Sequence, residues 1–171
     1  WLDGFAAHGL RFEDIDYVFC THLHVDHCGW NTRLINGKWV PTFPKATYIF
    51  GKKEYEAWEA HAAAAEKDDM FGAIWEDSCL PIVEAGQGRL VDADFELEDG
   101  IWLTPAFGHS PGQVCINFKS RDGHAIFTGD MMHHALQCAE PDWSTCFCPS
   151  PEEAAASRKR VLASVADSNT I

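Results

Sequence analysis

The sequence predicts an α/β layered domain. Short apolar runs of strand length alternate with stretches of helical composition, and from Arg89 onward the apolar period changes to two, with strand candidates bounded by Asp and Gly. At 171 residues and 46% hydrophobic content, the chain is long and apolar enough for a packed core, so one domain over residues 1–171 is the expectation.

Taken in order, Tyr17-Val18-Phe19-Cys20 reads as a buried strand that runs straight into a histidine cluster. Lys38-Trp39-Val40 and Ala46-Thr47-Tyr48-Ile49-Phe50 read as strands separated by Pro41 and Pro44, and Gly51 breaks the pattern. Lys52 to about Lys67 is rich in Ala, Glu and Lys, with Tyr55, Trp58 and Ala62 spaced along one apolar helix face. A second helical piece is expected over Met70 to Cys79, ending before Pro81. Leu90-Val91, Phe95-Glu96-Leu97, Ile101-Trp102-Leu103, residues 114–118 and Ala125-Ile126-Phe127 are the strand candidates of the second half. Ser150-Pro151-Glu152-Glu153 combines an N-cap, a proline at the first helical position and a glutamate three residues after the cap. The helix that starts there should bury Ala155, Leu162, Val165 and Ala166 and stop at Asp167-Ser168-Asn169.

A formal charge of −13 works against nucleic acid and anionic membrane surfaces, which demand clustered cations. The one basic run, Arg158-Lys159-Arg160, falls late in the last helix, where cations complement the helix dipole. No apolar stretch approaches the roughly 20 residues of a membrane span. Seven cysteines without a regular framework fit reduced thiols and favour a cytoplasmic home; Cys146-Phe147-Cys148 lacks the spacing of zinc knuckles or redox pairs. The chain begins at Trp1 and ends on an apparent strand start at Ile171, so it is expected to be part of a longer one.

The chemistry concentrates in Thr21-His22-Leu23-His24-Val25-Asp26-His27-Cys28-Gly29-Trp30. His22, His24 and Asp26 alternate after a strand, and if the extended conformation persists all three side chains point the same way. Two imidazoles and a carboxylate converging on one spot are costly to bury, and a divalent metal removes that cost by accepting their lone pairs. His27 would face another direction, towards a second metal. Gly108-His109-Ser110-Pro111-Gly112 puts a further histidine in a turn between strands, and Thr128-Gly129-Asp130 ends a strand on an aspartate.

The string His22-x-His24-x-Asp26-His27, followed by Gly108-His109 and Gly129-Asp130, resembles the signature of the metallo-β-lactamase-fold hydrolases. The resemblance implies a four-layer αβ/βα sandwich, truncated here at both ends, with a site for two divalent metal ions of which zinc is the leading identity. Carried over residue by residue, His22, His24 and His109 would hold the first metal, Asp26 and His27 the second, and Asp130 would bridge them. The family's last ligand histidine is absent and is expected within roughly ten residues beyond Ile171, by the usual length of strands and loops. The family's first strands are likewise expected before Trp1.

Within the family, an aspartate at 130 in place of cysteine argues against β-lactam hydrolysis. A histidine rather than glutamate at 24 argues against the oxygen-reducing flavodiiron branch. The stretch between His27 and His109 is longer than in glyoxalase II. That spacing, with Gly129-Asp130-Met131-Met132-His133-His134 and Pro141-Asp142-Trp143, is most similar to the quorum-quenching lactonases and methyl-parathion-hydrolase-like enzymes. The resemblance therefore implies cleavage of a lactone or carboxylic ester, of the N-acyl-homoserine-lactone kind, by a hydroxide held between the metals, with Asp26 passing a proton to the leaving group. Phosphotriester hydrolysis and a metal-binding but catalytically incomplete domain are the alternatives. No Gly-x-Ser-x-Gly elbow offers a serine nucleophile. His133 and His134 read as pocket or supporting residues or as plain loop histidines. Trp30, Trp39, Phe43, Phe107 and Trp143 read as an apolar pocket or as core. The expected partner is a small-molecule substrate, with no nucleic acid and no membrane; a homodimer stays open.

Overall fold

Residues 1–91 supply strands β1 (Tyr17–Phe19), β2 (Thr32–Ile35), β3 (Lys38–Pro41), β4 (Thr47–Gly51) and β5 (Gly88–Val91). The computed structural model describes residues 1–66 and 69–171. These group into two units, residues 1–50 with 58–90, and residues 51–57 with 91–171.

In the first unit β1 pairs in parallel with β4, Val18 opposite Tyr48, in a sheet of order β1-β4-β5. Tyr48, Ile49 and Phe50 are buried, as expected of a parallel strand covered on both faces. Tyr48 also anchors the next layer: its hydroxyl accepts from the Phe43 amide and donates to the Asn31 carbonyl, both at 3.0 Å. Burial pushes that phenol up to about 12, so it stays a donor.

The β2-β3 hairpin is antiparallel, and its first strand, β2, adds to the strands expected from apolar runs. The local signal for it is Asn36-Gly37, whose φ values of 52° and 78° form the two-residue turn that matches strand twist. Helix α1 (Leu2–Ala7) is a further addition to the expected elements. Ahead of α2 (Val25–Cys28), the chain leaves β1 through the histidine cluster. Helix α3 (Lys52–Ala64) falls where helical composition places it; Lys67, at its expected end, lies outside the described residues.

The expectation that helix ends before Pro81 needs correction. Helix α4 (Met70–Ile74) passes through a π-helical turn at Trp75–Cys79 into α5 (Leu80–Glu84), and Pro81 occupies its first turn. The helix runs through it, so Pro81 has no N–H to offer the Asp77 carbonyl four residues back. The Thr32 hydroxyl donates to the Asp77 carbonyl at 2.6 Å and supplies that turn with a side-chain partner.

The second unit is built on an antiparallel meander of β6 (Glu96–Glu98), β7 (Ile101–Pro105), β8 (Val114–Ser120) and β9 (Gly123–Phe127), in that order. Thr170 bridges His124 beside β9, and Ile126 donates to the Ile171 carbonyl at 2.8 Å, in keeping with the strand start read at the chain end. Ala106, Cys115, Met131 and Val161 form its core with Ile126 and Met132 packed against them.

Helix α6 (Pro151–Val165) starts at the predicted proline, but Ser150 makes no side-chain cap. Its backbone N–H goes instead to the Gly108 carbonyl at 3.1 Å, so the helix start is fixed by a tertiary contact. The buried face is Ala154, Ala155, Ser157, Arg158 and Val161 rather than Leu162, Val165 and Ala166. Arg158 is therefore no solvated dipole partner. It is fully buried, and its guanidinium donates to the carbonyls of Pro141, Met131 and Trp143 and to Ser144 Oγ at 2.6–3.0 Å. Among the described residues no helix is long and apolar enough to cross a membrane.

Candidate metal centre

In the first unit β1 ends at Phe19, the chain bends at Thr21 and His22, and His24 (φ −71°, ψ 155°) is the N-cap of α2. The strand alternation expected to carry Asp26 beside His22 and His24 is thus broken, and Asp26 and His27 project from a helical turn. The turn nevertheless gathers the imidazoles. The buried His22 ring lies 4.6 Å from that of His24 and 4.0 Å from that of His27, centroid to centroid. Thr21 Oγ1 lies 3.1 Å from Nδ1 of His22, a contact that orients the ring. Asp26 Oδ2 lies 3.5 Å from His27 Nε2, with the Asp26 side chain 71% exposed.

Cys28, next to this cluster, is fully buried. The neighbouring Cys79 thiol and burial hold its thiol well above the ordinary range, and its Sγ donates to the Leu23 carbonyl at 3.5 Å. It serves to close the loop that presents His22 and His24.

Beside His24 stand two aromatic rings that lie outside the pocket residues expected from sequence. Trp58 is 5.4 Å and Phe71 6.2 Å from the His24 ring, and the two stack on each other at 5.2 Å. Helical spacing puts Trp58 on an apolar face but does not say what that face meets. Of the aromatic residues read from sequence as pocket or core, Trp30 packs on Trp1 at 4.5 Å, Phe43 meets Phe12 edge-on, and Phe107 lies under Lys53. Trp143 is exposed.

In the second unit His109 sits in a loop clamped from two sides. Glu54, in the first turn of α3, accepts from Ser110 Oγ at 2.5 Å and from the Gly112 amide at 2.8 Å, and is itself buried. Gly112 lies so close that a Cβ would run into the Glu54 backbone, and at Gly108 (φ 127°) a Cβ would meet the backbone of Ala154. Ser157 Oγ donates to the Phe107 carbonyl at 2.8 Å. The two glycines around His109 thus let two helix starts close on the loop, which leaves the buried His109 little freedom.

Asp130 lies in a short 3-10 turn held at both ends. Gln113 Nε2 donates to the Thr128 carbonyl at 3.1 Å, and Arg158 donates to that of Met131. Its Oδ2 is 3.5 Å from Nε2 of His109 and 3.4 Å from Nε2 of His133. On the other edge of the His109 ring, Cys148 Sγ contacts Nδ1 at 3.6 Å, which gives the Cys146-Phe147-Cys148 run a supporting place beside the site. His134 acts locally, its Nδ1 accepting from the Leu136 amide at 3.0 Å.

These separations test whether the residues fit a metal. Ligand atoms about 2.0–2.2 Å from a tetrahedral zinc lie about 3.3–3.6 Å apart. An imidazole hydrogen-bonded to a carboxylate lies closer, as His61 and Asp69 do at 2.9 Å. The 3.5 Å pair His109–Asp130 matches the ligand edge rather than the hydrogen bond. With N and O donors only, the set suits a borderline ion such as zinc.

A family model described as the metallo-beta-lactamase superfamily matches residues 2–168. The N-acyl homoserine lactonase of Bacillus cereus is 26% identical over 123 residues, which are 71% of this chain and 40% of that protein. N-acyl homoserine lactonase AttM of Azorhizobium caulinodans is 32% identical over 114 residues, 62% of this chain and 36% of that protein. The chain thus spans about two fifths of the length of the curated relatives it matches. Among solved structures, hydrolase AbOPH of the beta lactamase superfamily gives a TM-score of 0.78 at 25% identity, covering 96% of this chain and 58% of that one. AidC, a dizinc quorum-quenching lactonase, shares the fold with a TM-score of 0.76 at 24% identity, covering 97% of this chain and 58% of that one.

Proposed function

From the premise that this chain belongs to the metallo-beta-lactamase superfamily, we propose that it is the metal-binding part of a hydrolase that opens a lactone or carboxylic ester of the N-acyl-homoserine-lactone kind. In this reading His22, His24 and His109 hold one divalent ion, Asp26 and His27 a second, and Asp130 bridges them, with zinc as the metal. The convergence of the His24 and His27 rings on that of His22, at 4.6 and 4.0 Å, carries the reading, because closely packed imidazoles present lone pairs that bound cations satisfy. When bound, divalent ions would supply a hydroxide at neutral pH and stabilisation for a developing oxyanion.

The chain's own residues do the rest. The glycine-flanked loop and Glu54 hold His109 in place, the Thr128 and Met131 contacts hold Asp130, and Asp26 passes a proton to the leaving alkoxide. Trp58 and Phe71, stacked beside His24, offer an apolar wall for an acyl chain. The substrate class follows the curated relatives, which are N-acyl homoserine lactonases.

Lactone opening releases an acid, so turnover of N-hexanoyl and N-decanoyl homoserine lactone can be followed by pH-stat on metal-loaded protein. The expected result is two zinc equivalents per chain, turnover lost on chelation and restored by Zn²⁺, and turnover reduced in Asp26→Asn with zinc retained. Faster turnover of a phosphotriester than of any lactone would overturn the substrate class, and Asp26→Asn with full turnover would remove its proton role. A chain that binds no zinc would overturn the reading as a whole.

A further inference from the structure

The geometry points to His133 as a metal ligand alongside His109 and Asp130, a donor added to those the metal-centre reading above assigns; this rests on that reading.

His133 lies outside the ligand set that the family signature assigns, yet its place is that of a ligand. Nε2 of His133 is 3.4 Å and Nε2 of His109 3.5 Å from the same oxygen, Oδ2 of Asp130. The His109 and His133 rings are 5.0 Å apart, and donor atoms of all three residues lie within 4.8 Å of one another. A hydrogen bond would draw at least one imidazole in to the 2.9 Å seen between His61 and Asp69. Both pairs instead stand at the edge length of a tetrahedral zinc shell, about 3.3–3.6 Å. Two neutral imidazoles and one carboxylate are a donor set of a catalytic zinc centre, which binds three protein ligands and keeps one position open.

The placement of His133 is also built. Gln137 is buried, and its Oε1 accepts from the His133 amide at 2.7 Å and the His134 amide at 3.2 Å. The Gln137 amide group in turn donates to the Trp143 carbonyl at 2.7 Å, and the same carbonyl accepts from Arg158. The backbone at 133 is therefore fixed by a chain of contacts that does not involve its imidazole. Losing the imidazole should leave the loop folded, which separates a ligand role from a structural one. The side chain is 20% exposed, open enough to accept an ion from solvent.

The test is calorimetric titration of Zn²⁺ and visible absorption of Co²⁺ in the full chain and in His133→Ala, His133→Gln and His134→Ala, with circular dichroism to confirm folding. Glutamine keeps a hydrogen-bond donor near Asp130 but is a poor zinc ligand. His133→Ala and His133→Gln should both weaken metal binding at least about tenfold and change the Co²⁺ bands, with His134→Ala unchanged. In the unmodified chain the His133 ring resonances should move as the first Zn²⁺ equivalents bind. Full affinity in His133→Gln, or ring resonances that stay still while the metal binds, would overturn the ligand role and leave the metal-centre reading intact. No metal bound by the unmodified chain would overturn both.

Discussion

The loop that carries His22, His24 and His27 and the pair of loops that carry His109, Asp130 and His133 hold the same residue types by different means. The first is local: six consecutive residues follow a strand, turn once as helix, and bring the His24 and His27 rings to 4.6 and 4.0 Å from that of His22. The second gathers residues more than twenty positions apart, and it does so with buried polar groups. Glu54 grips the His109 loop, Arg158 and Gln113 hold the turn of Asp130, and Gln137 holds the backbone of His133. A local cluster relies on chain geometry, whereas a dispersed one needs a scaffold whose polar atoms are satisfied.

That contrast can be broken most forcefully at Arg158. Arg158→Met fills the volume but leaves the carbonyls of Pro141, Met131 and Trp143 without the guanidinium, at a cost of about 3 kcal/mol or more by the usual penalty for buried unpaired groups. Chemical denaturation should show that loss, and zinc affinity at His109 and Asp130 should fall with it.

Glu54→Gln is a narrower break. The remaining amide oxygen can accept from the Gly112 N–H, while the new amide nitrogen meets Ser110 Oγ only by reversing that bond, so both charge-assisted hydrogen bonds are lost, at a cost of about 1–3 kcal/mol. Because the loop loosens rather than unfolds, the expected signature is weakened zinc affinity larger than the loss of stability would account for. Equal affinity in the variant would show that the glycine contacts alone fix His109.

The smallest effect belongs to the first unit. Asp69 caps α4 by accepting from the Gly72 amide and pairs with His61, and these bonds hold its carboxyl below the ordinary 3.8. A depressed value means that the stabilisation is present above about pH 3.8 and is lost as pH falls through the lower folded value. Acid titration followed by Trp58 fluorescence should report that opening, since Trp58 stacks on Phe71 in α4; Asp69→Asn should flatten the transition below that pH.

Much of this is legible in the residues themselves. The β1 strand, β3, β4, the meander and α6 all follow from apolar period and turn residues, and the six-residue cluster points to the family because its ligands are neighbours. Strand β2 is harder to read, since its residues Thr32-Arg33-Leu34-Ile35 mix polar and apolar types and only the Asn36-Gly37 turn marks the hairpin. Burial of Arg158 is not legible, because a basic run in a helix looks the same whether its first member meets solvent or a ring of carbonyls. The same holds for Trp58 and Phe71 beside His24.

What the sequence by itself determined is the donor chemistry: which side chains can bind a metal, and that those at 22, 24 and 27 follow a strand together. Only the tertiary structure decided which distant groups converge, because convergence depends on loop closures that bring His109 and His133 to one carboxylate oxygen of Asp130. It likewise decided that Asp26 leaves the strand alternation, since whether extended backbone continues through the cluster or turns into helix is settled by what the loop packs against, not by the spacing of its residues.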